Sequence, residues 1–309
     1  MLTVLSGGTG TPKLLQGLAR LVGMGKISVI VNTAEDVEVS GLKVTPDLDT
    51  VMYTLAGIVN EETWYGIRGD TFTCHEMLKQ LGEPELLRIG DRDRAVKLRR
   101  TLGLKQGKPL SEVTQELCEQ LGVRASVLPM SDDRVQTRVD TEAGTMQFHE
   151  FWVRRRAADK VKDVSFEGVE EAKPAPGVLE AIKTAKAIII GPSNPVTSIG
   201  PILAIEDIRE EIIRNRERVV AVSPIVGSAA VSGPAGELMR GLGYRVNPLG
   251  VAKMYRGIIG TLVLDWSDRG RARAVEEFGI NAAFADLLMP NIASRVRLAR
   301  EVLGIARIR

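Results

Sequence analysis

Cysteine is scarce: Cys74 and Cys118 are the only two in 309 residues, far apart and without CxxC spacing. That argues against a disulfide scaffold and against a zinc–thiolate site. Histidine is as rare. His75 and His149 are widely separated and show no metal-ligand spacing, so both read as structural. Neither sign of charge dominates, with 41 Lys and Arg against 39 Asp and Glu, so the clustered basic excess of a nucleic-acid surface is missing. Aromatics are only 4% of the chain, too few for base-stacking platforms. No apolar run reaches the length of a membrane span, and no charged leader with an apolar core precedes the first strand. The expectation is a cytoplasmic protein with neither a membrane nor a nucleic acid as partner. GxSxG does not occur, so a hydrolase nucleophile elbow lacks support.

What is present is core material. Hydrophobic residues make up 44%, enough for one large core or two closely joined domains. Runs rich in β-branched residues at Leu2–Leu5, Ile27–Val31, Ala187–Ile190, Val219–Val222 and Thr261–Leu264 read as buried strands. Helical patterns lie between them, at Lys13–Leu21, Leu48–Ile58 and Ile205–Asn215. Strands alternating with helices predict an α/β fold: a doubly wound, mostly parallel Rossmann-like sheet with helices on both faces. The whole chain, 1–309, reads as a single α/β domain. The middle differs. From about Asp70 to Leu121 apolar residues recur at helical spacing and each segment ends near a glycine. A stretch of strands follows, with turns at Ser131–Asp133 and Ala143–Gly144, and "FHEFWVRRR" at 148–156 reads as a strand with a basic end. Residues 60–160 are expected to form a mainly helical insert or lid on the core.

The first strand runs into "SGGTGTPK". Glycines let backbone N–H groups approach an anion, and the helix start adds partial positive charge. Gly7, Gly8, Thr9, Gly10 and Thr11 are therefore candidate phosphate contacts. Pro12 suits a first helical residue, and Lys13 reaches back toward the anion. The pattern is neither GxGxxG nor GxxxxGK[ST], and a ligand-free strand-to-helix turn is the bland alternative.

The second strand ends in "NTAED", which places Asn32, Glu35 and Asp36 at a strand's carboxyl end, where open parallel sheets bind ligands. In "TPDLDT", Thr45 or Asp47 is expected to cap the next helix. Asp47 and Asp49 do not share a helix face, so one caps and the other points into the site. Carboxylates beside a phosphate imply a neutralising Mg²⁺, which binds through one or two carboxylates plus phosphate oxygens. The alternative is that these acids only complement the helix dipole. In "RIGDRDRA", Asp91 and Asp93 read as cap and first-turn acids, which leaves Arg88 free to clamp an anion or polar ring. "GPSNPVTSIGPI" at 191–202 and "AVSPIVGSAAVSGPAG" at 221–236 follow two successive strands. Both loops are dense in hydroxyl, amide and N–H groups that suit a nucleotide.

Taken together, "LSGGTGTPKLL", "VNTAED", "PDLDTVMYTLAG", "GDRDRA", "LPMSDD", "FWV", "GPSNPVTSIGPI" and "SPIVG…VSGPAG" resemble the 2-phospho-L-lactate transferase family of coenzyme F420 biosynthesis. The resemblance runs from the first strand to about Asp286. It implies transfer of a phospholactyl group from lactyl-2-diphospho-5′-guanosine to the deazaflavin Fo (7,8-didemethyl-8-hydroxy-5-deazariboflavin), giving F420-0 and GMP with Mg²⁺ as cofactor. Some members use an enolpyruvyl or glyceryl donor. It also implies a homodimer, and carries the family's deazaflavin-contacting pair onto Asp49 and Arg88; many relatives have lysine at the second of these. On this reading Asp49 touches the metal and orients the attacking hydroxyl, and Glu35 or Asp36 shares the metal. Gly7–Thr11 and Lys13 bind phosphates, Asn32 lies beside them, and Ser193, Asn194 and Ser223 contact the nucleotide. The insert covers the acceptor site, with Trp64, Tyr65 and Phe72 lining the ring pocket or packing the core. Two rivals remain: a non-catalytic nucleotide or nucleotide-sugar-binding regulator of a sister family, and a dehydrogenase, against which the glycine pattern speaks.

Overall fold

The β-branched runs become strands of a seven-stranded sheet in the computed structural model, which describes residues 1–308. Its strands are β1 (Leu2–Ser6), β2 (Ile27–Val31), β3 (Ser126–Pro129), β4 (Ala187–Ile190), β5 (Val219–Val222), β6 (Thr261–Asp265) and β7 (Asn281–Ala285). They lie in the order β7-β6-β5-β4-β1-β2-β3, and every neighbouring pair is parallel. The expected doubly wound α/β architecture is the observed one. The two edge strands are additions to the reading: β3 ends in Pro129, and β7 (NAAFA) contains no β-branched residue.

The strands' period of two divides the core. Leu5, Ile30, Ile188, Ile190, Ala221 and Leu262 face one side, under the helices Val178–Lys183, Glu206–Arg214, Ala235–Gly241 and Pro248–Met254. Val4, Val29, Ile189, Val220 and Val263 face the other. There α1 (Gly10–Val22), α2 (Pro46–Leu55) and the C-terminal helix α4 (Ile292–Ile305) cover them. Burying each such side chain contributes about 1.5–3 kcal/mol, so the sheet is a rigid frame for the loops at its ends.

Between the neighbouring strands β2 and β3 the chain makes a long excursion. It contains a hairpin (Val37–Val39 with Leu42–Val44), α2, the helix Thr73–Gln80, α3 (Asp91–Lys105) and the helix Leu110–Gln120. The stretch 60–160 thus holds three of these helices and also β3, a strand of the central sheet. A separate antiparallel sheet follows, ordered Gly144–Gln147, Gln136–Thr141, Val161–Glu167. "FHEFWVRRR" is not a strand. Glu150–Arg154 is a π-helical turn that buries Phe151 and leaves Trp152 40% exposed, and left-handed Arg156 and Ala157 end it. Single π turns are frequent at functional sites, and Trp152 and Val153 of this one line a cavity of about 590 Å³.

Candidate active site

The strand order reverses between β1 and β4. The loops leaving these two strands must therefore diverge, and the crevice between them is where doubly wound sheets bind ligands. Here the two loops are stitched together by Ser193. Its hydroxyl accepts from the backbone N of Gly7 (3.2 Å) and of Thr11 (3.4 Å) and shares a 2.7 Å hydrogen bond with the Thr11 hydroxyl. The glycines permit this approach. A Cβ on Gly7 would strike Ser198, one on Gly8 the Asp47 carboxylate, and one on Gly10 the Pro192 carbonyl. Only the last obstacle is backbone, which cannot swing aside. Gly10→Ala is expected to destabilise the fold by about 1–3 kcal/mol, read as a lowered denaturation midpoint; an unchanged midpoint would show that the loops can part without cost.

A cleft of about 590 Å³ opens at this crevice. Gly8, Thr9 and Gly10, at the start of α1, form its floor with Ser193 and Asn194. Glu35 and Asp47 line the cleft with Trp64, Tyr65, Leu87 and His149, and the exposed Arg88 and Trp152 mark its mouth. A second pocket of about 280 Å³ shares Gly10, Pro192 and Ser232 with it and is closed by Leu287–Pro290. The two adjoin at these shared residues.

Several expected residues occupy other places. Gly7, Thr11, Asn32, Asp36 and Asp49 do not line the cleft, and Lys13 and Ser223 line only the second pocket. Asn32 is a bracket: its amide donates to Asp47 Oδ2 (2.9 Å) and the Thr197 carbonyl (3.2 Å), and its Oδ1 accepts from the Ala34 backbone N (3.0 Å). The Ser223 hydroxyl is consumed by Ile225, donating to its carbonyl (2.7 Å) and accepting from its N–H (3.1 Å). Lys13 turns toward the Trp64 indole, with Nζ 5.2 Å from the ring centroid. Asn194 is better placed than the rest. Its Oδ1 accepts from the Val196 backbone N (3.0 Å), while its Nδ2 is buried without a partner. That leaves a free donor on the cleft wall.

The carboxylates divide into two pairs. Asp36 forms an ion pair with Lys43 (3.0 Å). Asp49 is 3% exposed and held by Arg100 and Lys97 of α3, the latter at 3.2 Å. Burial alone would push its carboxyl up, but the two cations pull it below the ordinary value. Asp49 therefore faces the interior, and Asp47 faces the cleft, the reverse of the assignment expected for the two. Two residues on a helix are some 200° apart, and α3 decides which side is inside. Thr45 precedes the helix without a side-chain capping bond. Glu35 and Asp47 have no cation beside them. Burial is the main reason that Asp47 is pushed up to about 7 and Glu35 well above its usual range, and Asp47's charge adds to the latter. One oxygen of Glu35 is buried and unpartnered. Lys97 and Arg100, which the sequence reading missed, lie three apart and thus on one face of α3. Two cations at that spacing in "AVKLRRTLG" were the available signal.

Arg88 sits at the mouth, its guanidinium 3.9 Å above the Phe72 ring centroid; Phe72 supports it from behind and does not line the cleft. The "GDRD" turn that follows works differently from a local cap. Asp70 caps α3, accepting from the backbone N of Arg92 and Asp93 (both 2.9 Å). Asp91 caps the preceding helix instead, accepting from the N–H of Thr73 (3.0 Å) and Cys74 (2.9 Å) and from the Thr71 hydroxyl (2.6 Å). Those bonds, the Thr71 one foremost, hold its carboxyl down at about 2. Gly90 has no room for a Cβ because Asp70 packs onto it. Asp93 turns inward to Lys97 and to the Tyr53 hydroxyl (2.7 Å). His149 lines the cleft, and burial pushes it down to about 4, so it is neutral at pH 7.

Fold and cleft define a class: a doubly wound α/β protein with a cleft at its switch point, over a glycine turn and a helix start, where such sheets bind ligands. Comparison with known proteins narrows the class. The family model described as 2-phospho-L-lactate transferase CofD matches residues 2–277. Proteins named 2-phospho-L-lactate transferase are 51% identical in Methanopyrus kandleri, 50% in Methanothermobacter thermautotrophicus and 48% in Methanocaldococcus jannaschii, each match covering 98% of this chain and 97% of the relative. The chain belongs to the 2-phospho-L-lactate transferase CofD family and is a transferase. A solved member of the upf0052 family from Bacillus halodurans superposes with a TM-score of 0.66 at 20% identity over 98% of both chains, a likeness of fold.

Proposed function

We propose that this transferase moves the phospholactyl group of lactyl-2-diphospho-5′-guanosine to the ribityl hydroxyl of Fo, giving F420-0 and GMP with Mg²⁺ as cofactor, a step of coenzyme F420 biosynthesis. The observation that carries it is the pair of adjoining pockets that meet at Gly10, Pro192 and Ser232, one reaching Leu287–Pro290 and the other the Glu35–Asp47 pair, the aromatic residues and Arg88. A nucleotide diphosphate ester and a tricyclic acceptor need two such pockets to meet end to end.

The roles follow from placement. The backbone of Gly8–Gly10 and the start of α1 bind the donor's phosphates, and the Asn194 amide donates to the donor. Arg88, backed by Phe72, holds the acceptor with Trp64, Tyr65 and Trp152, under a lid formed by the helical part of the stretch 60–160. Two buried carboxylates without a cation, one with an unpartnered oxygen, fit a hard divalent ion. Mg²⁺ would sit on Glu35 and Asp47, rather than on Asp49 or Asp36, and would supply charge neutralisation for the transferring phosphoryl group. The acceptor hydroxyl forms the new P–O bond as the bond to the GMP phosphate breaks, with attacking and leaving oxygens in line. This needs alignment more than covalent catalysis: no cysteine among the described residues lines the cleft, and the Ser193 oxygen on its floor is already engaged. A homodimer in the cytoplasm completes the proposal.

The test is incubation of the purified protein with Mg²⁺, Fo and the lactyl donor, followed by mass spectrometry. F420-0 and GMP are expected. Failure with the lactyl, enolpyruvyl and glyceryl donors alike, with nucleotide still bound, would favour the regulator. The carboxylates make a second prediction. Raised folded-state pKa values mean that the folded chain holds more protons than the unfolded one. Their stabilisation is therefore full below the unfolded values and is lost as pH rises through about 6 for Asp36 and about 7 for Asp47. In EDTA the melting temperature should fall between about pH 5 and about pH 8, and Mg²⁺ should restore it at the upper end. A flat profile indifferent to Mg²⁺ would remove the metal site.

A further inference from the structure

Trp64 is 6% exposed and lines the cleft, yet its φ is +54°, a left-handed conformation rare for a bulky residue. Strain of that kind persists only where the surroundings enforce it. Two cations lie over its ring: Lys13 Nζ at 5.2 Å and the Arg295 guanidinium at 4.7 Å from the centroid. Lys13 belongs to the second pocket and Trp64 to the cleft, so this stack is the partition between them.

Arg295 comes from the far end of the chain. It reaches the site because α4 crosses α1 at Gly17, where a Cβ would lie 2.8 Å from the Ala299 Cβ and run into the Arg295 carbonyl. The Arg295 side chain is 5% exposed. Its Nη1 donates to Gln16 Oε1 of α1 (2.7 Å) and to Glu61 Oε2 (2.6 Å), and Gln16 Nε2 donates to Glu61 Oε1 (2.9 Å). Glu61 lies three residues before Trp64, so the guanidinium is gripped by both the helix and the loop it joins. Upstream, the Asn291–Ser294 capping box fixes the start of α4 directly after Leu287–Pro290, the wall of the second pocket.

We propose that Arg295 is a positioning residue for the transfer: it clamps the Trp64 ring as the wall between nucleotide pocket and acceptor cleft and keeps Lys13 facing the nucleotide pocket. This rests on the functional reading above. A planar guanidinium can stack on the indole and hydrogen-bond sideways at once, which an ammonium cannot, and burial strengthens a cation on an aromatic face. The pair of like charges also disposes the pocket toward an anion. Burial, and then Arg295, lower the proton affinity of Lys13, and an incoming phosphate relieves both costs.

The test uses Arg295→Met and Arg295→Lys. In a Trp152→Phe/Trp266→Phe background Trp64 is the sole tryptophan of the chain's three and reports the wall by its emission. Arg295→Met is expected to shift that emission to the red. In the otherwise native protein it should raise KM for donor and acceptor about tenfold, with a smaller fall in kcat, the size expected for losing a desolvated cation–π contact. Arg295→Lys keeps the cation but not the simultaneous stacking and sideways hydrogen bonds, so it should recover only part of both effects. Native emission with native KM values in Arg295→Met would overturn the proposal, as would a lysine variant no better than methionine. Should Arg295→Met fail to fold, Glu61→Gln loosens the same clamp from a half-exposed position; a smaller red shift is expected, and unaltered emission overturns the idea. Emission needs no turnover. Failure of the functional reading would appear as an inactive wild type, and failure of this proposal as an undisturbed Trp64.

Discussion

Asp47→Asn should lower turnover by about 10²–10³-fold, the range seen when one element of transition-state charge stabilisation is removed, while the metal-free fold becomes no less stable at pH 8. Asparagine keeps an oxygen for the Asn32 amide, 2.9 Å away, and removes a charge that burial already disfavours. Activity and stability move apart because the group's cost to the fold is tolerated for its chemistry. Steady-state kinetics paired with thermal melts in EDTA check this. Asp47→Asn with native kcat would take Asp47 out of the reaction and leave Glu35 alone as a metal holder.

Arg100→Met should instead cost about 3 kcal/mol of stability, the lower end for breaking a buried ion pair from one side, since Lys97 still compensates part of the charge. The loss falls on the seam between α2 and α3, so it should also reduce turnover, by letting the first turn of α2 rotate Asp47 out of the cleft. Urea denaturation reads the first effect. Adding Asp49→Leu should return part of the lost stability, because an apolar pair of similar volume replaces an orphaned charge. A single variant as stable as wild type would mean that the pair does not hold α2 in place.

The contrast between these aspartates shows what a local reading reaches. Strands β1, β2, β4, β5 and β6 carried β-branched runs and were legible. Strand β7, NAAFA, was not, because alanines state no preference that neighbours cannot override. "FHEFWVRRR" has strand-like residues, but Phe151 goes into the core through a single π turn. The carboxyl-end rule pointed to the place where the glycine turn and the Asn194 loop meet, at the switch point. Which atoms face the cleft was another matter. Asp49 is claimed by Arg100, 51 residues away, Lys13 by an indole, and Asn32 by the loops it ties. Polar residues at a strand end state that a site is near; their partners, distant in sequence, decide which of them is left unsatisfied.

The crosswise caps of Asp70 and Asp91 have a dynamic consequence. Each cap contributes about 1 kcal/mol, but neither belongs to the helix it serves: Asp70 lies just before Thr73–Gln80 and holds α3, while Asp91 opens α3 and holds Thr73–Gln80. Fraying of one helix start therefore withdraws the support of the other. The two behave as one cooperative unit, whose amides exchange with solvent through a shared opening. Arg88 sits on the segment between them, so its place at the cleft mouth is kept or given up in a single event.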